Sequence, residues 1–166
     1  MRALMIRFLL GLTALAFAIT LLTGCGFKLR GDEPLPFASA WIAAPEGSLL
    51  GKGLRQALAA QGKLAADAKT APVRIQVTSE QRKKDILSLS GAGKVREYRL
   101  TSKATLKVTN DFGEEIVAPI ALEQVRDFSY DDAQALATEA TEAALNRGMD
   151  QEMLRQAMRR LSYLKR

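Results

Sequence analysis

Residues 96–108 read REYRLTSKATLKV, and the regular alternation of apolar and polar side chains in this stretch decides the fold. Alternation with a period of two indicates a strand that is buried on one face and polar on the other. The apolar face carries Tyr98, Leu100, Ala104, Leu106 and Val108. The polar face carries Glu97, Arg99, Thr101, Lys103, Thr105 and Lys107. This pattern predicts a long strand in a sheet that is covered on one side only.

Strand patterns also lie on both sides of this segment. The alternation of Val73, Ile75 and Val77 with polar residues predicts a strand that the run SEQRKKD extends toward residues 86–89, before a flexible turn at residues 91–93. After a second turn at residues 110–113, a third alternation is interrupted by Pro119, which favours an edge strand or a bulge. Its predicted buried residues are Ile116, Ala118, Ile120 and Leu122. A short apolar stretch at residues 40–44 predicts a fourth, buried strand.

Two segments show helical patterns. Residues 48–61 begin at Ser48, a typical N-cap residue, and are followed by Gly62, a typical C-cap residue. Their apolar face carries Leu50, Leu54, Ala57 and Leu58. From Asp131 onward the chain is rich in helix formers. A helical stripe there comprises Leu145, Met149, Met153, Ala157, Leu161 and Leu164.

The order strand, helix, three strands, helix predicts an α/β (α+β) fold, in which a four-stranded mixed sheet and two helices packed on one of its faces form a two-layer sandwich. We expect its core to include Tyr98, Leu100, Leu106, Ile120, Leu54, Leu58 and Leu161. The other face of the sheet stays polar, and it either meets water or fits inside a polar cavity of another protein.

The amino-terminal segment has the features of an export signal. Arg2 and Arg7 precede an apolar run at residues 8–22 that is short for a membrane span, so a retained anchor helix is the less favoured interpretation. The sequence LTGC at residues 22–25 resembles the lipobox of bacterial lipoproteins. We therefore predict a removed lipoprotein signal peptide at 1–24, a lipidated tether at 25–37 and a single domain at 38–166, with N-acyl and S-diacylglycerol groups on Cys25. The residue after Cys25 is Gly26, whereas an Asp at this position resembles an inner-membrane retention signal. We therefore expect the lipidated protein to lie on the periplasmic side of the outer membrane.

Composition narrows the function. The chain has one Cys and no His, which excludes Ser-His and Cys-His catalysis and a His-based metal site. No phosphate-binding glycine motif is present, and adjacent acidic residues at turns do not indicate a catalytic cleft. We therefore expect no enzymatic activity, no bound metal and no cofactor other than the covalent lipid. The net charge is +6, or +4 without Arg2 and Arg7. For an exported chain this indicates either a solvated surface or an acidic or phosphorylated partner, and not a nucleic acid.

Five segments in order carry a family resemblance: CGFKLRG at 25–31, GLRQALAAQG at 53–62, REYRLT at 96–101, VRDFSYDD at 125–132 and MRRL at 158–161. Together they resemble the LptE family of lipopolysaccharide-assembly lipoproteins. The resemblance implies a two-helix, four-strand sandwich that sits in the lumen of the outer-membrane barrel LptD. It also implies a role as a plug that supports barrel assembly and the insertion of lipopolysaccharide in the outer leaflet.

The resemblance also implies two sets of site residues. The lipopolysaccharide contact is expected near the tip of the second hairpin, at Lys83, Lys84, Lys94 and Arg96. The polar face expected to meet the barrel carries Arg99, Thr101, Lys103, Thr105 and Lys107. A second basic position of the family is replaced here, because Thr138 stands where the family tends to have Lys. The alternative is an envelope scaffold lipoprotein without a lipid ligand, in which the hairpin charges are an ordinary solvated turn.

Overall fold

The computed structural model describes residues 34–131 and 135–164. In chain order the elements are β1 (Ala40–Ala43), α1 (Leu49–Ala60), β2 (Val73–Leu89), β3 (Val95–Asn110), β4 (Glu115–Ser129) and α2 (Ala135–Ser162). The sheet has the strand order β1-β2-β3-β4. β1 runs parallel to β2, whereas β2 with β3 and β3 with β4 are antiparallel. The predicted mixed four-stranded sheet with two helices is therefore confirmed.

Local signals account for the bounds of α1. The Ser48 side chain accepts a hydrogen bond from the Gly51 amide at 2.8 Å, as an N-cap residue does. A side chain at Gly51 would meet the Cβ atom of Ala44 at 2.3 Å, so only glycine lets the helix start this close to the end of β1. At the other end, Gly62 has a φ of +66°, a conformation that glycine adopts without strain.

The apolar interior consists of two clusters. The main core joins β1, both helices and the sheet, and it buries Leu54, Leu58, Leu106 and Leu161 completely. The second cluster, called here the distal core, consists of buried Leu100, Phe128 and Met149 with partly buried Tyr98 and Leu145. The predicted core residues Leu54, Leu58, Leu100, Leu106, Ile120 and Leu161 are all buried. Tyr98 is the exception, because it lies at the margin of the distal core.

β4 differs from its predicted phase. Leu106 pairs with Ile120, but Val108 pairs with Val117, so the register shifts at Pro119. Such a bulge adds one residue to a strand and reverses its alternation. Val117 consequently packs against the main core, while Ile116 is 37% exposed and Ala118 is also exposed. The prediction that Ile116 and Ala118 share the buried face is wrong, whereas of the edge strand or bulge that Pro119 favours, the structure shows both.

The folded part begins before residue 38. Leu35 and Phe37 are buried in the main core. The Lys63 ammonium donates to the carbonyl oxygens of Leu35 at 3.0 Å and Phe37 at 2.5 Å, which fixes this segment beside the turn after α1. Residues 34–37 therefore belong to the domain and not to an exposed tether. The predicted signal peptide, Cys25 and the rest of the tether lie outside the described residues.

Candidate functional site

The face of the sheet opposite the helices, called here the outer face, carries the five residues expected to meet a barrel. Its three cations on β3 each form an ion pair with a carboxylate of β4. The pairs are Arg99 with Asp127 at 2.8 Å, Lys103 with Glu123 at 3.1 Å and Lys107 with Glu115 at 3.0 Å. Thr101 and Thr105 lie between them and are partly buried. The outer face is thus polar and close to charge balance, with hydroxyl groups between the paired charges.

The pair at Arg99 has the most specific geometry. Two guanidinium nitrogens donate to the two carboxylate oxygens of Asp127, both at 2.8 Å. Such bidentate, charge-assisted contacts are stronger than single hydrogen bonds between neutral groups. The hydrogen bond from Arg99 lowers the pKa of Asp127, and the bond to Asp127 raises the pKa of Arg99. Both groups therefore stay charged at neutral pH.

The tip of the β2–β3 hairpin combines exposed apolar and basic side chains. A tight turn forms it, in which the Ser90 amide donates to the Lys94 carbonyl oxygen at 2.7 Å and Gly93 has a φ of +76°. Ile86 and Leu89 are each 56% exposed, and Leu87 is also exposed. The basic residues at this tip are Lys94 and Arg96, both exposed. The structure therefore brings these two predicted residues together with an apolar group.

The other two predicted basic residues lie apart from this tip and from each other. Lys83 pairs with Thr101 in the register of the sheet, so it lies on the outer face, where it forms an ion pair with Asp85 at 2.8 Å. Lys84 pairs with Leu100 in the register and lies on the helix-covered face. Adjacent strand residues point to opposite faces, so the four predicted cations do not form one cluster.

Lys84 has partners under α2. Its ammonium lies 2.5 Å from a carboxylate oxygen of Glu142 and 4.2 Å from the centre of the Tyr98 ring. Thr138 is 9% exposed in the first turns of α2. The beginning of α2 therefore presents a carboxylate, and not a cation, to Lys84.

A polar row on the helix-covered face was not predicted from the sequence. Beyond a register shift at Val77 and Ser79, β2 turns Glu80, Arg82 and Lys84 toward the helices. Glu80 accepts hydrogen bonds from the Ser48 hydroxyl and the Leu50 amide, and Arg82 forms an ion pair with Asp150. Glu80 and Arg82, but not Lys84, border an open cleft of about 310 Å³ between the β1–α1 loop, β2 and α2. The only available signal was the charged run in a predicted strand, which does not reveal the bulge.

Within residues 34–131 and 135–164, no helix is long and apolar enough to cross a membrane. In the same ranges, no three His, Cys, Asp or Glu side chains are grouped so that they could hold a metal ion.

Comparison with known proteins identifies the family. The family model for LptE, lipopolysaccharide assembly, matches residues 37–161.

The solution structure of an uncharacterized lipoprotein B from Nitrosomonas europaea has a TM-score of 0.72 and 32% identity, and the match covers 82% of this chain and 90% of that one. A minor lipoprotein from Acinetobacter baumannii has a TM-score of 0.63 and 24% identity, with 78% and 93% covered. The rare lipoprotein B from Shewanella oneidensis has a TM-score of 0.58 and 22% identity, with 74% and 89% covered. A search of curated proteins gave no significant match. The matched family model spans β1 through α2, and the chain therefore belongs to the LptE family of lipopolysaccharide-assembly proteins.

Proposed function

We propose that this protein is an outer-membrane lipoprotein that plugs the LptD barrel, supports its assembly and takes part in placing lipopolysaccharide in the outer leaflet. The observation that carries this proposal is the outer face, where paired charges and threonine hydroxyls line the side of the sheet that neither α1 nor α2 covers. Large outer-membrane barrels have polar interiors, with which such a face can form hydrogen bonds without burying unpaired charge. The role is one of binding and assembly, without catalysis.

The proposed anchor is a lipidated Cys25 at the periplasmic side of the outer membrane. Family membership and the lipoprotein names of similar structures support it. The ten residues from Cys25 to Pro34 are joined by nine peptide units and span at most about 30 Å when extended, so the domain stays close to the membrane surface. N-acyl and S-diacylglycerol chains together give permanent anchoring, because each buried methylene contributes about 0.8 kcal/mol.

The proposed lipopolysaccharide contact is the tip of the β2–β3 hairpin. Lys94 and Arg96 can donate charge-assisted hydrogen bonds to phosphate groups of lipid A. The exposed side chain of Leu89 lines the same cleft as Arg96, and Leu87 is exposed two residues before it, so both can contact acyl chains. An amphiphile with phosphates at the boundary of its acyl chains matches this arrangement of groups.

A test of the barrel proposal substitutes the outer face without touching the core. Thr101→Trp and Thr105→Trp together add two large side chains to an uncovered face, where tryptophan is well tolerated in a strand. We expect this variant to fold and to lose the LptD barrel when it is purified through an affinity tag from outer membranes. Arg147→Trp, at an exposed position of α2, is the matched control and should retain the barrel. Retention of the barrel by the double variant would contradict the proposal.

The scaffold role without a lipid ligand is the alternative, and the charge pairing favours it at two positions. In the structure Lys83 and Lys84 each already pair with a carboxylate, of Asp85 and Glu142 respectively. Direct binding of lipid A to the purified protein distinguishes the two roles, since only the lipopolysaccharide-handling role requires it.

A further inference from the structure

The two halves of α2 are held to the domain very differently. In the leading half, residues 136–148, Thr138 is the one buried residue. In the following half, residues 149–161, each turn buries a residue of the apolar stripe. These residues are Met149, Met153, Ala157 and Leu161. The leading half therefore has little apolar burial to keep it closed on the sheet.

A belt of polar residues separates the distal core, which lies under the leading half of α2, from the main core. Arg82, Ser102 and Gln124 are neighbours across β2, β3 and β4 on the helix-covered face, and Ser102 is only 3% exposed. Among the described residues, the Ser102 hydroxyl oxygen and the Asn146 side-chain carbonyl oxygen are buried without a hydrogen-bond partner. Unsatisfied buried polar groups disfavour the closed arrangement. The distal core can therefore open at this belt while the main core stays intact.

Polar contacts close the leading half. The Glu142 carboxylate binds the Lys84 ammonium at 2.5 Å, and Lys84 also lies over the rings of Tyr98 at 4.2 Å and Phe128 at 5.6 Å. The side chains of Lys84 and Glu142 are 38% and 27% exposed, so solvent and salt reach this pair. Partly exposed ion pairs of this kind are weak.

A weak point of the helix lies where the two halves meet. Gly148 is exposed, and a side chain built there would have no atom within 4 Å, so packing does not require glycine. Only proline destabilises the interior of a helix more than glycine does. The next residue, Met149, is buried in the distal core. Bending at Gly148 would move the leading half and leave Met149 in place.

We propose that residues 136–148 form a lid over Lys84 and one side of the distal core, that Glu142 is its latch, and that a phosphorylated lipid opens it. The phosphate replaces the Glu142 carboxylate on the Lys84 ammonium, and an acyl chain takes the place of Leu145 against Tyr98 and Phe128. The inference rests on the proposed function and deepens it, because it gives Lys84 a ligand-binding role in place of its ion pair with Glu142.

The experiment combines amide hydrogen exchange with binding of bisphosphorylated, hexa-acylated lipid A in detergent micelles to the purified full-length protein. Glu142→Gln removes the latch and leaves the ammonium free, whereas Lys84→Gln removes both the latch and the phosphate ligand. We expect both variants to speed exchange of residues 136–147 about 2- to 5-fold relative to residues 150–160, the effect of one partly exposed ion pair. Lipid A affinity should rise by a similar factor in Glu142→Gln and fall in Lys84→Gln.

Matched controls separate this mechanism from net charge. Lys83→Gln removes the same charge from the outer face, and Glu139→Gln removes a carboxylate from an exposed position of the same helix. Neither should change exchange of residues 136–147, and each should change lipid A affinity less than its counterpart. Equal affinity changes in variant and control, or affinity changes of the same sign for Glu142→Gln and Lys84→Gln, would overturn the inference.

Two further outcomes locate a failure. A wild-type protein that binds no lipid A would reject the lipid half of the proposed function, and the ligand of the lid with it. A wild-type protein that binds lipid A while both lid variants bind equally well would reject the lid alone. Inorganic phosphate, added in a separate titration, should not displace lipid A. Displacement of lipid A by phosphate that strengthens in Glu142→Gln and weakens in Lys84→Gln would overturn the proposed acyl-chain contact.

Discussion

The substitution Leu106→Ala tests the architecture at its centre. Leu106 is completely buried on β3, between Val77 of β2 and Ile120 of β4 in the sheet register. Alanine lacks three of its carbon atoms, and at about 0.8 kcal/mol per buried methylene their transfer to water costs about 2.4 kcal/mol. The hydrogen-bonded strands on both sides prevent β3 from moving into the space, so a cavity cost adds to this figure. We expect a total loss of about 3 to 5 kcal/mol.

Equilibrium urea unfolding followed by circular dichroism measures this loss, and the slope against urea should stay unchanged. Leu87→Ala is the matched control, because Leu87 is 39% exposed at the hairpin tip, and its cost should stay within about 0.5 kcal/mol. A loss below about 1 kcal/mol for Leu106→Ala would refute the assignment of this strand face to the core.

Three other predictions concern the anchor, the hairpin tip and the outer face. Cys25→Ser should abolish lipidation, since a hydroxyl group cannot form the thioether, and mass spectrometry of the mature protein will show whether the wild-type sulfur carries lipid. Lys94→Glu with Arg96→Glu should fold and join its barrel but bind lipopolysaccharide less well at low salt, by about 4 kcal/mol before screening; equal binding would favour the scaffold role. Arg99→Gln should raise the pKa of Asp127 toward its ordinary value in an NMR titration, because the hydrogen bond from Arg99 lowers it. In the wild type, the stabilising contribution of Asp127 should be complete above the unfolded-state pKa of about 3.9 and disappear as the pH falls through the lower folded-state pKa. An Asp127 pKa that is the same with and without Arg99 would contradict this prediction.

Features that depend on neighbouring residues could be predicted from the sequence. Ser48 and Gly62 mark the ends of α1 because capping is a local interaction. The alternation around Leu100 and Leu106 placed both residues in the interior, since a regular strand has a period of two.

Features that depend on strand pairing could not be predicted. Pro119 signals an irregularity in β4, but no local pattern fixes the residue at which the alternation reverses there, and nothing in the sequence marks the bulge near Ser79. For the same reason the sequence grouped Lys83 with Lys84, although the sheet places them on opposite faces. The partners of Arg99 and Lys84 lie 28 and 58 residues away along the chain, so the register of β4 and the path of α2 decide them.

The most direct test of the central claim is site-specific photo-crosslinking in intact cells. A photoreactive amino acid at Thr105 probes the outer face, and the same amino acid at Arg147 probes the exposed side of α2. If the outer face meets the LptD barrel, Thr105 should give a covalent adduct with the barrel that is stronger than any adduct from Arg147. An adduct from Arg147 without one from Thr105, or no barrel adduct from either position, would contradict it.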